Sequence, residues 1–215
     1  MPPYAVWVAA LATAVVCALD WWAVSRHRRA VERWAKPGAM VGLLAVATLA
    51  GAADTASGRW LLLALSLGLL GDVLLLDESS SRFVGGLAAF LVGHLAYVSS
   101  FVLAGLDRPV WGWLGVGTVV ACLAAGRRIL PGAVAEGGAV LGVAVETYML
   151  VIGAMAVTGW ATGRLFVGLG VSLFVVSDTV LATGRFVQPR PWTAPVTMVT
   201  YHGAQALIVL GIFAS

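Results

Sequence analysis

The chain has 215 residues, of which 60% are hydrophobic and only 11% charged, against roughly 45–50% and 25% in soluble domains, so water is not its main solvent. A spanning helix uses about 20 apolar residues, so this length supplies about eight crossings within a single transmembrane domain over residues 1–215 and leaves no room for a soluble one. The net charge of +3 is small and scattered, which argues against a nucleic-acid partner and leaves membrane orientation as the use of the basic residues.

Apolar stretches separated by short polar or Pro/Gly-containing connections predict helices over 4–24, 37–53, 59–76, 82–104, 110–125, 136–158, 162–184 and 192–214. No run of alternating ten-residue segments occurs, which excludes a barrel and makes this an all-α polytopic protein. The start, Met1-Pro2-Pro3-Tyr4, lacks the positive leader of a signal peptide and a basic loop follows the first apolar run, so that helix is expected to be retained. Cys17 in helix one and Cys122 in helix five read as small packing residues. Asp20 lies within a turn of the end of helix one, where it is expected to reach headgroups or the basic loop, and His27 belongs to that loop. Lys36, before Pro37 at the start of helix two, has the position of an interfacial lysine with its stem in the membrane.

Helix three carries Asp72 in an otherwise apolar run. On helix four, Phe83, Phe90, His94, Tyr97 and Phe101 fall on one face by three-and-four spacing. On helix six, Gly142, Glu146, Met149 and Gly153 line up in the same way. Helix seven holds Asp178, and helix eight a face of Met198, His202, Gln205 and Val209 with Tyr201 one turn before Gln205. Helices three and seven also echo each other: Leu70-Gly71-Asp72-Val73-Leu74-Leu75 against Val176-Ser177-Asp178-Thr179-Val180-Leu181. Each is followed by Arg-Phe, at Arg82-Phe83 and Arg185-Phe186, and then by a helix with a histidine, which fits a four-plus-four parallel repeat.

With the first loop cytoplasmic, ten of the 13 Lys and Arg residues fall on the inner side, and only Arg59, Arg108 and Arg164 on the outer. This bias places both termini outside. All nine tryptophans fall at the ends of the predicted segments or in their connections, the level the indole ring prefers. A charged group at mid-membrane costs about 2.5–3.5 kcal/mol even on the gentler insertion scale, so Asp72, His94, Glu146, Asp178 and His202 each need a partner, a cavity or a purpose. At 1.5 Å per residue the two aspartates lie roughly 7–9 Å from the inner ends of their helices and the other three roughly 15–18 Å, a column that fits one polar chamber opening to the cytosol. Bulky apolar walls with a few polar heads suit a small-molecule site. Three classes remain open on the residues alone: a hydrolase, acting with or without a metal held by His94, His202 and the aspartates; a proton or solute relay; and a membrane protein whose polar residues only join helices.

Taken together, several of these residues resemble the YhhN family of membrane proteins, which includes animal lysoplasmalogenases. The features are Lys36-Pro37, Gly71-Asp72 followed by leucines, Phe83 with Gly86, Phe90, His94 and Tyr97, then Tyr148, Ser177-Asp178, and Tyr201 with Gln205. The resemblance runs from about Lys36 onward and implies a multi-pass cell-membrane hydrolase, working without a cofactor or metal, that splits the vinyl ether bond of a lysolipid. On that implication Asp72 and Asp178 form an acid and base pair and His94 orients water or collapses the hemiacetal. Tyr97, Tyr148 and Tyr201 hold the glycerol portion and Lys36 meets the phosphate, with Glu146, Ser177, His202 and Gln205 completing the substrate contacts. Vinyl ether cleavage itself calls for one carboxyl held protonated and a second anionic group beside the cation that forms.

Overall fold

The structure, a computed structural model, describes residues 3–213 with the exception of Glu78. The described residues form helices α1 (Pro3–Ser25), α2 (Arg29–Leu49), α3 (Ala56–Leu74), α4 (Ser80–Ala104), α5 (Gly112–Ala125), α6 (Ile129–Ala161), α7 (Leu165–Phe186) and α8 (Thr193–Phe213), with single 3-10 turns at Ala52–Asp54 and Pro109–Trp111. Among them there is no strand. In α1, α3, α4, α6, α7 and α8 length and composition suffice to cross a membrane. The chain is therefore a multi-pass, all-helical membrane protein. By the same measure α5 is short, at 14 residues, and α2 carries Arg29, Glu32, Arg33 and Lys36 in its first half. Met1 and Pro2, which precede the first predicted segment, and Ala214, the end of the last, lie outside the described residues.

The chain divides into two compact units, Met1–Gly105 with Val209–Ser215, and Leu106–Ile208. In the first, α1 packs on α2, α2 on α3 and α3 on α4. Small residues let the backbones approach: a methyl added at Gly42 would run into Thr13 of α1, and one at Gly71 would lie 2.5 Å from the Phe90 ring of α4. The α2–α3 turn passes through Gly51, whose φ of 92° favours glycine. Thr55 then caps α3, its hydroxyl accepting from the Gly58 amide at 2.9 Å. Further along, Ser100 of α4 donates to the Ser57 carbonyl of α3 at 2.9 Å.

In the second unit α5 packs on α6, α6 on α7 and α5 on α7. Trp160 of α6 donates to the Ser172 hydroxyl of α7 at 2.8 Å. The Ser177 hydroxyl of α7 donates to the Thr197 carbonyl of α8 at 3.0 Å, and the ring of Phe174 meets that of Tyr201 edge-on at 5.4 Å.

Two predicted boundaries move. Helix two does not open at Pro37: it starts at Arg29 and carries Pro37 inside, so most of the expected basic loop is helical and the turn itself is 26–28. Packing on α1 and α3 holds a helix through a proline that an isolated helix would not tolerate. Helix six begins at Ile129, but non-helical torsions at Gly137 and Gly138, where φ is 66° at the second glycine, break it just after Glu136. The predicted start therefore marks the break and not the first turn. Cys17 is buried as expected, whereas Cys122 is only half-buried.

Candidate active site

In the first unit three helices present their buried faces to one cluster. The face of α1 reads Thr13, Cys17, Asp20, Val24, a four-three-four spacing in which each side chain is buried. On α2 the buried face runs through Lys36, Met40, Leu43 and Ala47, and on α3 through Leu61, Leu65, Gly68 and Asp72. Lys36 Nζ lies 3.4 Å from Asp72 Oδ1, with the two side chains 7% and 1% exposed. Asp20 is fully buried, and neither of its carboxyl oxygens has a hydrogen-bond partner among the described residues. It lies within electrostatic reach of Lys36, Glu32 and Asp72.

These positions correct two expectations. Lys36 does not run out to the headgroup level: it turns inward, because a buried carboxylate one helix away attracts the ammonium more than the distant interface does. Asp20 does not escape toward headgroups either, since the α1 stripe directs it onto α2. The signal for this was present in the spacing. Between Ala5 and Val24 the polar or sulfur-bearing residues, tryptophans aside, are Thr13, Cys17 and Asp20, all on one helical face. The aromatic stripe of α4 is as expected: Phe90, His94, Tyr97 and Phe101 are all buried, and the Tyr97 and Phe101 rings stack with centroids 5.9 Å apart. Phe83, at its start, is half-buried.

In the second unit the centre is Asp178, half-buried on α7. It accepts a hydrogen bond of 2.5 Å from the Tyr148 hydroxyl of α6, so the phenol serves the carboxyl. Ser177, the neighbour of Asp178, points to α8, where its hydroxyl serves the Thr197 carbonyl. Tyr201, His202 and Gln205 are buried on α8, the rings of the first two 5.4 Å apart. Glu146 does not belong to this interior: it is exposed. The packed face of α6 runs through Gly142, Val145, Ile152, Met155 and Gly159, and this face leaves Glu146 on its outer margin. Asp72, His94, Tyr97 and Lys36 thus belong to the first unit, and Glu146, Tyr148, Ser177, Asp178, Tyr201, His202 and Gln205 to the second.

Outside the spanning segments, the Ser79 amide donates to Asp77 at 2.9 Å. That bond, with Arg82 at 3.4 Å, holds the Asp77 carboxyl below its ordinary range. A cavity of about 460 Å³ opens where α5 ends, lined by Ala124, Gly126, Arg127, Arg128, Thr183 and Val187 and by none of the candidate residues. Among the described residues no group of three or more His, Cys, Asp or Glu side chains is placed to hold a metal ion.

The family model described as the YhhN family matches residues 31–212. The chain is similar to the protein named lysoplasmalogenase TMEM86B of Rattus norvegicus, 36% identical over 74% of this chain and 64% of that protein. It is similar to lysoplasmalogenase TMEM86A of Bos taurus, 31% identical over 66% of this chain and 60% of the relative. A protein of Mycobacterium tuberculosis named lysoplasmalogenase is 31% identical over 72% of this chain and 60% of its own length. The matches thus span less than two thirds of these relatives. No solved structure matches the chain.

Proposed function

The chain belongs to the YhhN family, and on that premise we propose that it is a lysoplasmalogenase, a membrane-embedded hydrolase that opens the vinyl ether bond of a lysolipid to a fatty aldehyde and a glycerophospho-base. The observation that carries this reading is the buried pair of Asp72 and Lys36 in a membrane-spanning unit. A carboxyl and an ammonium withdrawn from water inside apolar helices are costly, and such residues in a membrane-spanning segment support a functional position.

The chemistry follows from the substrate. Protonation of the outer vinyl carbon gives an oxocarbenium-like cation, water adds to it, and the hemiacetal collapses to aldehyde and alcohol. We assign the proton donor and the group that activates water to Asp72 and Asp178, with Lys36 as the charge partner of Asp72. His94 orients water or assists the collapse. Tyr97 and Tyr201 hydrogen-bond the glycerol portion, Tyr148 sets the Asp178 carboxyl, and His202 and Gln205 supply further polar contacts. Glu146, on the exposed margin of α6, stays a substrate contact in this assignment.

The same reading extends to topology: eight crossings in one transmembrane domain of the cell membrane, both termini outside and a chamber open to the cytosol. Its support is the distribution of Lys and Arg. A four-plus-four parallel repeat has the echo between helices three and seven as its support, although the end of α8, from Val209, groups with the first unit.

The test is purified protein offered an alkenyl lysolipid and its saturated ether analogue, with aldehyde measured. Release from the alkenyl lipid alone is expected, and Asp72→Asn and Asp178→Asn each abolish it while the protein stays folded. Normal turnover in both variants removes the acid and base assignment; solute uptake into proteoliposomes without aldehyde release replaces hydrolysis by transport.

A further inference from the structure

Asp20 lies before residues 31–212, the segment that the family model matches, and the acid and base pair above does not use it. It is nevertheless fully buried, and neither carboxyl oxygen has a hydrogen-bond partner among the described residues. Buried polar atoms left without partners are rare and ask for an explanation. The surroundings supply one. Asp20 of α1 lies within electrostatic reach of Lys36 on α2, whose ammonium stands 3.4 Å from Asp72 of α3.

Charge arithmetic gives the consequence. Glu32 is only half-buried and keeps water about its charge, so the fully buried part is one ammonium and two carboxylates, which sum to −1 and are electrically neutral only when the two carboxyls hold one proton between them. Uncompensated charge in an apolar interior is costly, and interacting groups of this kind take up and release protons as a unit. Without Asp20, Lys36 would simply cancel Asp72 and leave nothing to transfer.

We propose that Asp20 is a positioning residue of the reaction, which with Lys36 and Asp72 forms one buried acid whose two carboxyls share a single transferable proton. The proposal rests on the hydrolase reading above. Asp72 meets the substrate and Asp20 acts through it. The proton passes to the outer vinyl carbon, where the electron pair of the double bond forms the new C–H bond. The cluster is left at −1 beside a cation of +1, a favourable electrostatic arrangement for the intermediate. Water, activated by Asp178 as assigned above, then adds its oxygen to the cationic carbon, and its surplus proton passes by way of that carboxylate back to the carboxyls of the cluster. Hemiacetal collapse breaks the bond to the glycerol oxygen and moves the hydroxyl proton onto that oxygen, so the cluster ends as it began.

The test is Asp20→Asn in the full chain, purified in detergent. The expected result is a fall in kcat of about 100-fold, at the lower end of what general acid catalysis contributes, with KM little changed. The alkaline limb of the pH–rate profile moves to lower pH, because the remaining acid must take its proton beside Lys36 with no second carboxyl to share it. The other titratable groups facing the cluster are Cys17 on α1 and Glu32 on α2, and Glu32→Gln is expected to leave that limb in place. A readout independent of turnover is the infrared C=O stretch of a protonated carboxyl at neutral pH, present in the parent and diminished in the variant.

Wild-type kcat, an unmoved limb or an unchanged infrared band in Asp20→Asn each overturns the proposal, and loss of rate with limb and band unchanged assigns Asp20 to packing alone. Should that variant fail to fold, Asp20→Glu carries the test: it is expected to keep the band and recover activity, and loss of the band overturns the proposal. Absence of aldehyde from the parent protein defeats the hydrolase reading instead, and the infrared comparison still judges the cluster.

Discussion

Two acids in matching sequence settings are held in different ways. Asp72 in the first unit follows a glycine, is buried, and faces a lysine ammonium; Asp178 in the second follows a serine, is half-buried, and takes the hydroxyl of Tyr148 at 2.5 Å. A cation offsets the carboxylate's charge, whereas a phenol directs one hydrogen bond and leaves the charge in place. The echo between helices three and seven therefore repeats the position of an acid without repeating its electrostatics. This is the difference a donor of protons and an activator of water would need, since the two roles call for carboxyls in unlike surroundings.

The largest effect that sharpens the contrast is expected from Lys36→Met. Removing the ammonium strands Asp72 and Asp20 in an apolar interior, and breaking a buried pair from one side costs about 3–5 kcal/mol. Chemical unfolding in detergent measures the loss. Replacing Asp72 by Leu in the same chain should return much of the stability without restoring activity, because an apolar pair of similar volume avoids the desolvation that the ions impose. A Lys36→Met protein as stable as the parent would mean that the ammonium does not hold the first unit's acid.

How far the sequence could reveal these surroundings depended on whether spacing or position carried the information. Three-and-four spacing placed Phe90, His94, Tyr97 and Phe101 on one buried face of α4, and all four are buried. Position misled at Lys36, where the lysine-proline pair looks like a helix start at the interface; α2 begins seven residues earlier, at Arg29, and carries the lysine into the protein. It misled again at Asp20, because nearness to a helix end says nothing about which way the side chain faces. At Glu146 the spacing itself was ambiguous: Gly142 and Glu146 are one turn apart, but Val145 and Ile152 set the packed face and leave Glu146 exposed. The bond from Tyr148 to Asp178 joins residues 30 positions apart, and only the packing of α6 on α7 brings them together.

A smaller effect is expected in the second unit. Tyr148→Phe removes the phenol hydroxyl but strands no charged group of opposite sign, so the cost falls near the lower end of the roughly 1.5–3 kcal/mol typical of hydrogen bonds to charged groups. The half-buried Asp178 can exchange the lost donor for water more readily than a fully buried acid can. Unfolding of this variant beside Lys36→Met gives the direct comparison. Equal losses in the two would break the distinction between an acid balanced by charge and one directed by a hydrogen bond.

The smallest effect lies where the Arg-Phe halves of the echo sit. Arg185 pairs with Glu136 at the break in α6, whereas Arg82 reaches Asp77, five residues before it, at 3.4 Å. Exposed pairs of this kind contribute little, because water and salt screen them. The Ser79 amide and Arg82 nevertheless hold the Asp77 carboxyl below its ordinary range. A carboxyl so depressed adds stability above its unfolded value, and that stability is lost as pH falls through the lower folded value. Asp77→Asn should therefore leave aldehyde release at neutral pH unchanged and flatten only the acid end of the stability profile. Hydrogen exchange at Ser79, followed as pH is lowered, reads this directly: a parent protein with no acid-range change there would mean that the bond between Asp77 and Ser79 contributes nothing to the start of α4.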